Sequence, residues 1–308
     1  MPQVSTSKHV PVSKRTQTAR EAPRVRLTHP DRVLFPQQGL TKADLARYYA
    51  EVADRMLPHV AGRPLMLVRC PEGEGQQCFH QKHPTRGLSR DVQRVEIMEN
   101  SGVTAEHMMV EDARGLVSLV QIGALEIHAW GSRASQLDYP DQLTFDLDPD
   151  EGLPWVRTIE AALTLRKQLE VLGLPTFLKT TGGKGLHIVT PIDPSTPWDD
   201  AKLFCRAVAE LLVQREPDKY VTNIAKAKRK GKVLIDYLRN GRGATAVAPY
   251  STRARPGAPV ATPLRWDELT AKLRPSSFTV ETIPARLRSQ RRDPWKDFGK
   301  ARPALPGA

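Results

Sequence analysis

From Leu143 to Asp148 apolar and polar residues alternate without a break, Leu143, Phe145 and Leu147 against Thr144, Asp146 and Asp148. A period of two is the signature of a half-buried strand. Residues two apart on a strand project from the same face, so Asp146 and Asp148 stand together with their Cα atoms roughly 6–7 Å apart. The apolar set covers the other face. The chain must therefore build a sheet with one packed side and a pair of carboxylates on the other. Taken alone, Asp-x-Asp is most often a solvated strand end. Two carboxylates that converge away from water repel and drive one pKa upward, a conflict that a cation between them removes.

A further carboxylate sharpens this reading. Asp236 is the lone charge inside Val233-Leu234-Ile235-Asp236-Tyr237-Leu238, and a charge in such a run is costly unless paired or metal-bound. A salt bridge to a neighbouring basic residue would satisfy it. So would divalent ions shared with Asp146 and Asp148, and an oxygen-only ligand set suits magnesium or manganese. Two such ions serve phosphoryl transfer, one at the attacking oxygen and one at the triphosphate. Between the carboxylate segments lies Thr181-Gly182-Gly183-Lys184-Gly185-Leu186-His187. It joins strands expected at 175–180 and 186–190, so it is neither a Walker loop nor a dinucleotide fingerprint, both of which lead into helices. Glycines let backbone N–H groups curl round an anion, Lys184 adds a point charge, and His187 can donate to a phosphate oxygen. The basic run from Lys226 to Lys232, with Arg229 inside it, precedes the Asp236 segment, and Arg239, Arg242, Arg253 and Arg255 follow. Charge runs are usually solvated faces; this one flanks the carboxylates, where it could neutralise triphosphate or nucleic-acid backbone.

The rest of the chain sets the frame. Lys plus Arg number 46 against 34 acidic residues, a formal charge of +12 that favours a polyanionic partner. No run of eighteen apolar residues exists, so no membrane span or membrane partner is expected. Residues 1–25 read as a solvated basic tail and 299–308 as a second flexible tail, with Trp295 and Phe298 as docking anchors just before it. A helix is expected with Thr41 as N-cap, an Asp44 capping box, and Leu45, Tyr48, Val52 and Met56 on one face. Residues 64–69 suit a short buried strand, and the apolar stretch 117–127 suits a helix ending near His128. Further helices are expected from Pro154, with Val156, Ile159, Leu163 and Leu169 inward, and from Thr196, with Leu203, Val208, Leu211 and Leu212 inward. Residues 232–238 and 244–251 read as strands. Strict βαβ alternation is absent, which favours an α+β class. Cys70, Cys78 and Cys205 cannot pair completely and suggest a reducing compartment. The spacing of Cys70, Cys78, His80 and His83 fits no familiar zinc site.

Three segments resemble, in order and spacing, the motifs of the archaeo-eukaryotic primase superfamily as found in polymerase domains of bacterial ligase D. They are Phe145-Asp146-Leu147-Asp148-Pro149, Thr181 through His187, and Ile235-Asp236-Tyr237-Leu238-Arg239-Asn240. The likeness runs from about Leu27 to Phe298 and takes in residues 28–36, Gln81-Lys82-His83 and residues 245–251. It implies an α+β fold: a primase-like core of antiparallel or mixed sheet with flanking helices over 26–298, an N-terminal portion at about 26–140 and catalytic motifs at about 141–255. By position, Asp146, Asp148 and Asp236 would be the catalytic metal ligands, holding two Mn2+ or Mg2+ ions. Thr181, Gly182, Lys184, His187, Lys226, Arg229 and Arg253 would contact the incoming nucleoside triphosphate. Arg32 and Lys42 would take the 5′-phosphate of a DNA end or gap, Phe79 would stack on nucleic acid, and Lys82 would contact DNA. The family fills gaps and extends ends by template-directed synthesis in non-homologous end-joining, prefers ribonucleotides, and works with Ku and a DNA ligase in the bacterial cytoplasm, at the nucleoid. Thr181 stands where serine is common, Arg32 where lysine is common, and His80 where a second aromatic often occurs. No Lys-x-Asp-Gly ligase signature is present, so a free-standing or excised polymerase that does not seal nicks is expected. Rival readings are a primase making primers de novo, a metal-dependent nuclease, and a non-catalytic DNA-end-binding module.

Overall fold

The computed structural model describes residues 25–307; the basic leader, but for Val25, lies outside the described residues. A short hairpin, β1 (Val33–Phe35) with β2 (Leu40–Thr41), feeds α1 (Lys42–Val60). The Thr41 hydroxyl accepts from the Asp44 N–H and the Asp44 carboxylate accepts from the Thr41 N–H, the expected capping box. Leu45, Tyr48, Tyr49, Val52 and Met56 face inward. Then come β3 (Leu65–Arg69), β4 (Phe79–Gln81), β5 (Gln93–Met98), β6 (Thr104–Met109), α2 (Ala113–Gln121) and β7 (Ala124–Trp130). Here the reading of one helix to Ile127 fails. The helix stops at Gln121, Gly123 turns the chain at φ +78°, and the remainder is a strand buried along most of its length. In a largely apolar run buried on both faces, length and composition tell helix from strand poorly, and only the short stretch 125–128 alternates.

The second half supplies β8 (Gln142–Pro149), α3 (Trp155–Val171), β9 (Phe177–Thr180), β10 (Leu186–Pro191), α4 (Trp198–Arg215), β11 (Tyr220–Val221), α5 (Lys226–Arg229), β12 (Val233–Asp236), β13 (Thr245–Val247), β14 (Pro263–Leu264) and α6 (Thr282–Ser289). These build two six-stranded sheets. One runs β11-β12-β8-β10-β9-β14, and the other β13-β7-β3-β6-β5 with β4 attached to β3. All pairings but β11 with β12 are antiparallel, the α+β arrangement anticipated. Helices α3 and α4 pack on the first sheet, where Leu143, Phe145 and Leu147 are fully buried. The expected inward stripes hold in part: Ile159 and Leu169 of α3 and Val208 and Leu212 of α4 are buried and Leu211 half-buried, while Val156 and Leu163 are 46% exposed and Leu203 63%. Ala161, Ala162 and Leu165 of α3, and Ala201 and Cys205 of α4, complete the inward faces, their small residues allowing close approach to the sheet. Pro197 rather than Thr196 occupies the N-cap of α4, without a side-chain cap bond.

Cys70 and Cys78 are joined in a disulfide with Cα atoms 4.3 Å apart, and only Cys205 is free. This removes the basis for inferring a reducing compartment from the cysteines. It also leaves neither thiolate for zinc. Residues 299–307, expected as a tail, lie along the core: Leu305 is buried, the Asp193 N–H donates to the Pro303 carbonyl, and Arg302 reaches Asp141. Trp295 donates its indole N–H to Leu178 and stacks on Phe298 at 5.1 Å, so both rings are anchors.

His59 is buried edge-on between these two rings. Burial, helped by Arg63, pushes its pKa down to about 4. The folded state thus binds fewer protons than the unfolded chain between pH 6.5 and 4, so stability is complete above 6.5 and falls as pH drops through that window. His59→Leu should flatten the acid-side loss of Tm, recovering on the order of 2 kcal/mol at pH 4.5 relative to wild type. Parallel melting curves of the two proteins from pH 7.5 to 4.5 would show the opposite if His59 were a stabilising cation.

Candidate active site

Registered neighbours on adjacent antiparallel strands share a face. Asp236 on β12 pairs with Asp146 on β8, Asp146 with His187 on β10, and His187 with Lys179 on β9. The first sheet thus carries a transverse row, Asp236, Asp146, His187 and Lys179, with Asp148 two residues along β8. All members of the row are nearly buried, and they face away from the packed leucines.

Every carboxylate in the row meets cations. His187 Nε2 lies 3.5 Å from Asp146, Arg239 bridges Asp146 at 3.6 Å and Asp236 at 3.5 Å, and Lys184 Nζ is 3.8 Å from Asp148. Arg229 donates to Asp148 as well. Burial opposes the charge of Asp146, but the facing imidazole of His187, then Arg239 and Lys179, outweigh it and hold its pKa at about 2. Asp236 goes the other way. Burial and then the charges of Asp146 and Asp148 raise its pKa, against the pull of Arg239. His187 is pushed to about 4 by burial and by Lys179, so at neutral pH its ring is uncharged. Lys179, buried with its ammonium unpartnered, drops to about 7 for want of solvent.

The loop of residues 181–185 closes one side. The Thr181 N–H and hydroxyl both donate to the Gly185 carbonyl, tightening the turn. Gly182 sits at φ +70°, and an added Cβ there would come within 2.6 Å of Arg253. At Gly185 an added Cβ would meet the Leu147 carbonyl at 2.6 Å, so only glycine lets the loop lie against β8. Lys184, Arg239, Arg253 and Arg255 line a cleft of about 270 Å³ with Asp146, Asp148 and His187. Its opposite wall comes from the second sheet, through His128 on β7 and Thr245, Ala246 and Val247 on β13.

The sequence-derived set is thus largely assembled. Asp146, Asp148, Thr181, Lys184, His187 and Arg253 line one cleft, Asp236 adjoins them, and Arg229 reaches in through Asp148. Lys226 on α5 is exposed and outside the cleft lining. Arg32 and Lys42 belong to a second cleft of about 360 Å³, with His29, Arg69 and Arg86. There Lys42 donates to the Thr28 carbonyl, and burial followed by the neighbouring Arg32 lowers its pKa. Phe79, 42% exposed, has the Arg69 guanidinium 5.1 Å from its ring centre. Lys82 pairs with Glu99 at 2.7 Å.

Sequence reasoning missed Lys179, Glu126 and His128. Glu126 accepts from the His128 ring at 2.8 Å and from the Ala254 N–H at 2.9 Å, and pairs as an ion with Arg253 at 2.9 Å, so it fixes both cleft residues from behind. The signal was present. Glu126 and His128 alternate with Leu125 and Ile127, the period of a strand, inside a stretch read as helix.

The family model described as LigD, primase-polymerase domain matches residues 41–295. The multifunctional non-homologous end joining protein LigD of Pseudomonas aeruginosa is 36% identical over 92% of this chain and 34% of its own length. The corresponding DNA repair protein LigD of Mycobacterium tuberculosis is 38% identical over 80% of this chain and 33% of its own. The chain therefore spans about a third of the length of these relatives. Among solved structures, the polymerase domain of M. tuberculosis ligase D in complex with DNA superposes with a TM-score of 0.81 at 35% identity, over 86% of this chain and 94% of that one. With the three motifs, the two sheets and the carboxylate row in agreement, the chain belongs to the primase-polymerase domain family of LigD.

Proposed function

We propose that this chain is a metal-dependent nucleotidyltransferase that extends a DNA 3′-hydroxyl against a template, filling gaps and ends in non-homologous end-joining. The observation that carries the proposal is the row of Asp236 and Asp146, with Asp148 beside it, facing a cleft lined by Lys184, His187, Arg239, Arg253 and Arg255. A carboxylate with its pKa raised by burial and, after that, by two others beside it, in an oxygen-only donor set, is a ligand set that divalent Mn2+ or Mg2+ would relieve. When bound by Asp146, Asp148 and Asp236, such ions lower the pKa of an attacking hydroxyl and offset charge on the triphosphate.

The chain's own residues supply the remainder. Lys184 and the loop's backbone N–H groups bind the phosphates, and Arg253 and Arg255, which lie against the same loop, neutralise them. Neutral His187 presents a ring N–H beside Asp146 rather than a full charge, so it orients groups there without adding another cation. Lys226 and Arg229 extend the cationic surface, and nucleoside triphosphates, ribonucleotides preferred, are the expected substrates. The cleft with Arg32 and Lys42 is the proposed seat of a 5′-phosphate, with Phe79 and Lys82 on the path of the nucleic acid. Ku and a ligase would be partners in a cytoplasmic, nucleoid-associated role. No described helix is long and apolar enough to cross a membrane.

Lys184→Ala tests the triphosphate cradle. It should raise KM for the nucleotide by about 10- to 100-fold, the loss of one charge-assisted contact, with a smaller change in kcat. A nuclease built on the same carboxylates would cleave DNA equally well with either residue, and that outcome would overturn the cradle assignment.

A further inference from the structure

On the second sheet, apart from the carboxylate row, His83, Glu99 and His107 converge. Their ligand atoms all lie within 4.8 Å of one another. His83 follows β4, Glu99 follows β5 at the start of the hairpin turn, and His107 sits on β6. One Glu99 oxygen is approached by His107 Nε2 at 3.0 Å, His83 Nε2 at 3.5 Å and Lys82 Nζ at 2.7 Å.

The tautomer of His83 is constrained by a contact on its other side. Its Nδ1 lies 3.0 Å from the Glu106 carbonyl, which can only accept. In the neutral ring Nδ1 therefore carries the proton and Nε2 turns a lone pair toward a carboxylate oxygen, an acceptor facing an acceptor. Metal-bound histidines are held in this way, the distal nitrogen donating to a carbonyl or carboxylate. His107 is 2% exposed, and its Nδ1 has no hydrogen-bond partner. In a tetrahedral site with bonds of about 2.0–2.1 Å, neighbouring ligand atoms stand about 3.4 Å apart. The two Nε2-to-oxygen separations of 3.0 and 3.5 Å bracket that figure.

We infer that His83, Glu99 and His107 form a binding site for a divalent ion of the zinc class, with a solvent molecule as fourth ligand. Two imidazoles and one carboxylate select zinc or cobalt over magnesium. The ion takes the place of the Lys82 ammonium, which is 47% exposed on a flexible stem and swings out. It clasps the end of β4 to the β5–β6 hairpin. The inference does not depend on the polymerase reading.

The test uses the full chain carrying Asp146→Ala and Asp148→Ala, so that the carboxylate row does not compete for the ion, freed of metal with a chelator. Cobalt is titrated in and the visible absorption of a tetrahedral site is followed; zinc binding is measured by calorimetry. One equivalent should bind, and binding should weaken at least tenfold on adding His83→Ala or Glu99→Gln. Both substitutions lie at the surface, so neither depends on repacking the buried His107. Lys82→Ala should tighten binding, and zinc should raise Tm only where the three ligands are intact. Absence of the absorption band, or equal affinity after His83→Ala and Glu99→Gln, would overturn the site.

Discussion

Asp236→Asn should lower nucleotide addition at least about 10³-fold while leaving the protein as stable as wild type at neutral pH, or more so. Asparagine keeps the shape of the side chain and its bond from the Leu238 N–H. It removes the charge that burial and the neighbouring Asp146 and Asp148 make costly. A raised folded-state pKa means that this carboxylate is easiest to bury at low pH and costs stability as pH rises through and above its ordinary range. In the proposed function the same charge holds divalent cations for transfer, where losing one charged contact at the reacting centre costs about 10²–10³ and losing a metal ligand more. Single-turnover extension assays with melting curves at pH 7 separate the two effects. Equal losses of activity and stability would mean that Asp236 serves the fold through Arg239 instead.

The largest effect on stability is expected at Arg63. Its side chain is 1% exposed and makes a two-pronged contact with Asp141, Nη1 to Oδ1 at 2.6 Å and Nη2 to Oδ2 at 2.8 Å. Asp141 opens β8 from the side of the second sheet, and its backbone N–H donates to the Gly131 carbonyl just past β7. The pair therefore ties the two sheets together behind the cleft. Removing one partner of a buried pair leaves the other unpaired at a cost of about 3–5 kcal/mol. Arg133 at 3.3 Å and Arg302 at 3.2 Å remain near Asp141, which places Arg63→Ala toward the lower figure. At this chain length Tm should fall by roughly 6–12 °C. Arg63→Ala/Asp141→Ala should be more stable than the sum of the single substitutions predicts. A fall of only a degree or two in the single variant would contradict the account of the pair.

The two sheets were unequally legible from residues alone. Strand β8 announced itself because one face is packed and the other carries aspartates. Asp236 stood out because nothing else in β12 is charged. The loop of residues 181–185 was readable from its glycines, and α1 from its capping box. What escaped notice did so for physical reasons. Strand β7 is buried on both faces, so its apolar length suggests a helix and obscures the short alternation of Glu126 and His128 with Leu125 and Ile127. Lys179 reads as an ordinary surface lysine, because it faces residues far along the chain, His59, Ala129, Val247 and Trp295 among them, a tertiary fact. The stripes of α3 and α4 were legible in part: Ile159, Leu169, Val208 and Leu212 are buried as expected, whereas Val156, Leu163 and Leu203, expected inward, leave Ala161, Ala162, Ala201 and Cys205 to face the sheet. The disulfide joins residues eight apart whose approach depends on the loop they enclose.

Whether the carboxylate row and the cationic cleft together transfer nucleotides onto DNA is decided by extension of a primer on 5′-phosphorylated gapped DNA, with manganese and with each nucleotide type, comparing wild type with Asp146→Ala/Asp148→Ala. Template-directed addition is expected from the wild type and none from the double variant, with the two proteins binding the gap equally in the absence of metal. No addition by the wild type with any divalent ion, or equal addition by both proteins, would contradict nucleotide transfer at this site.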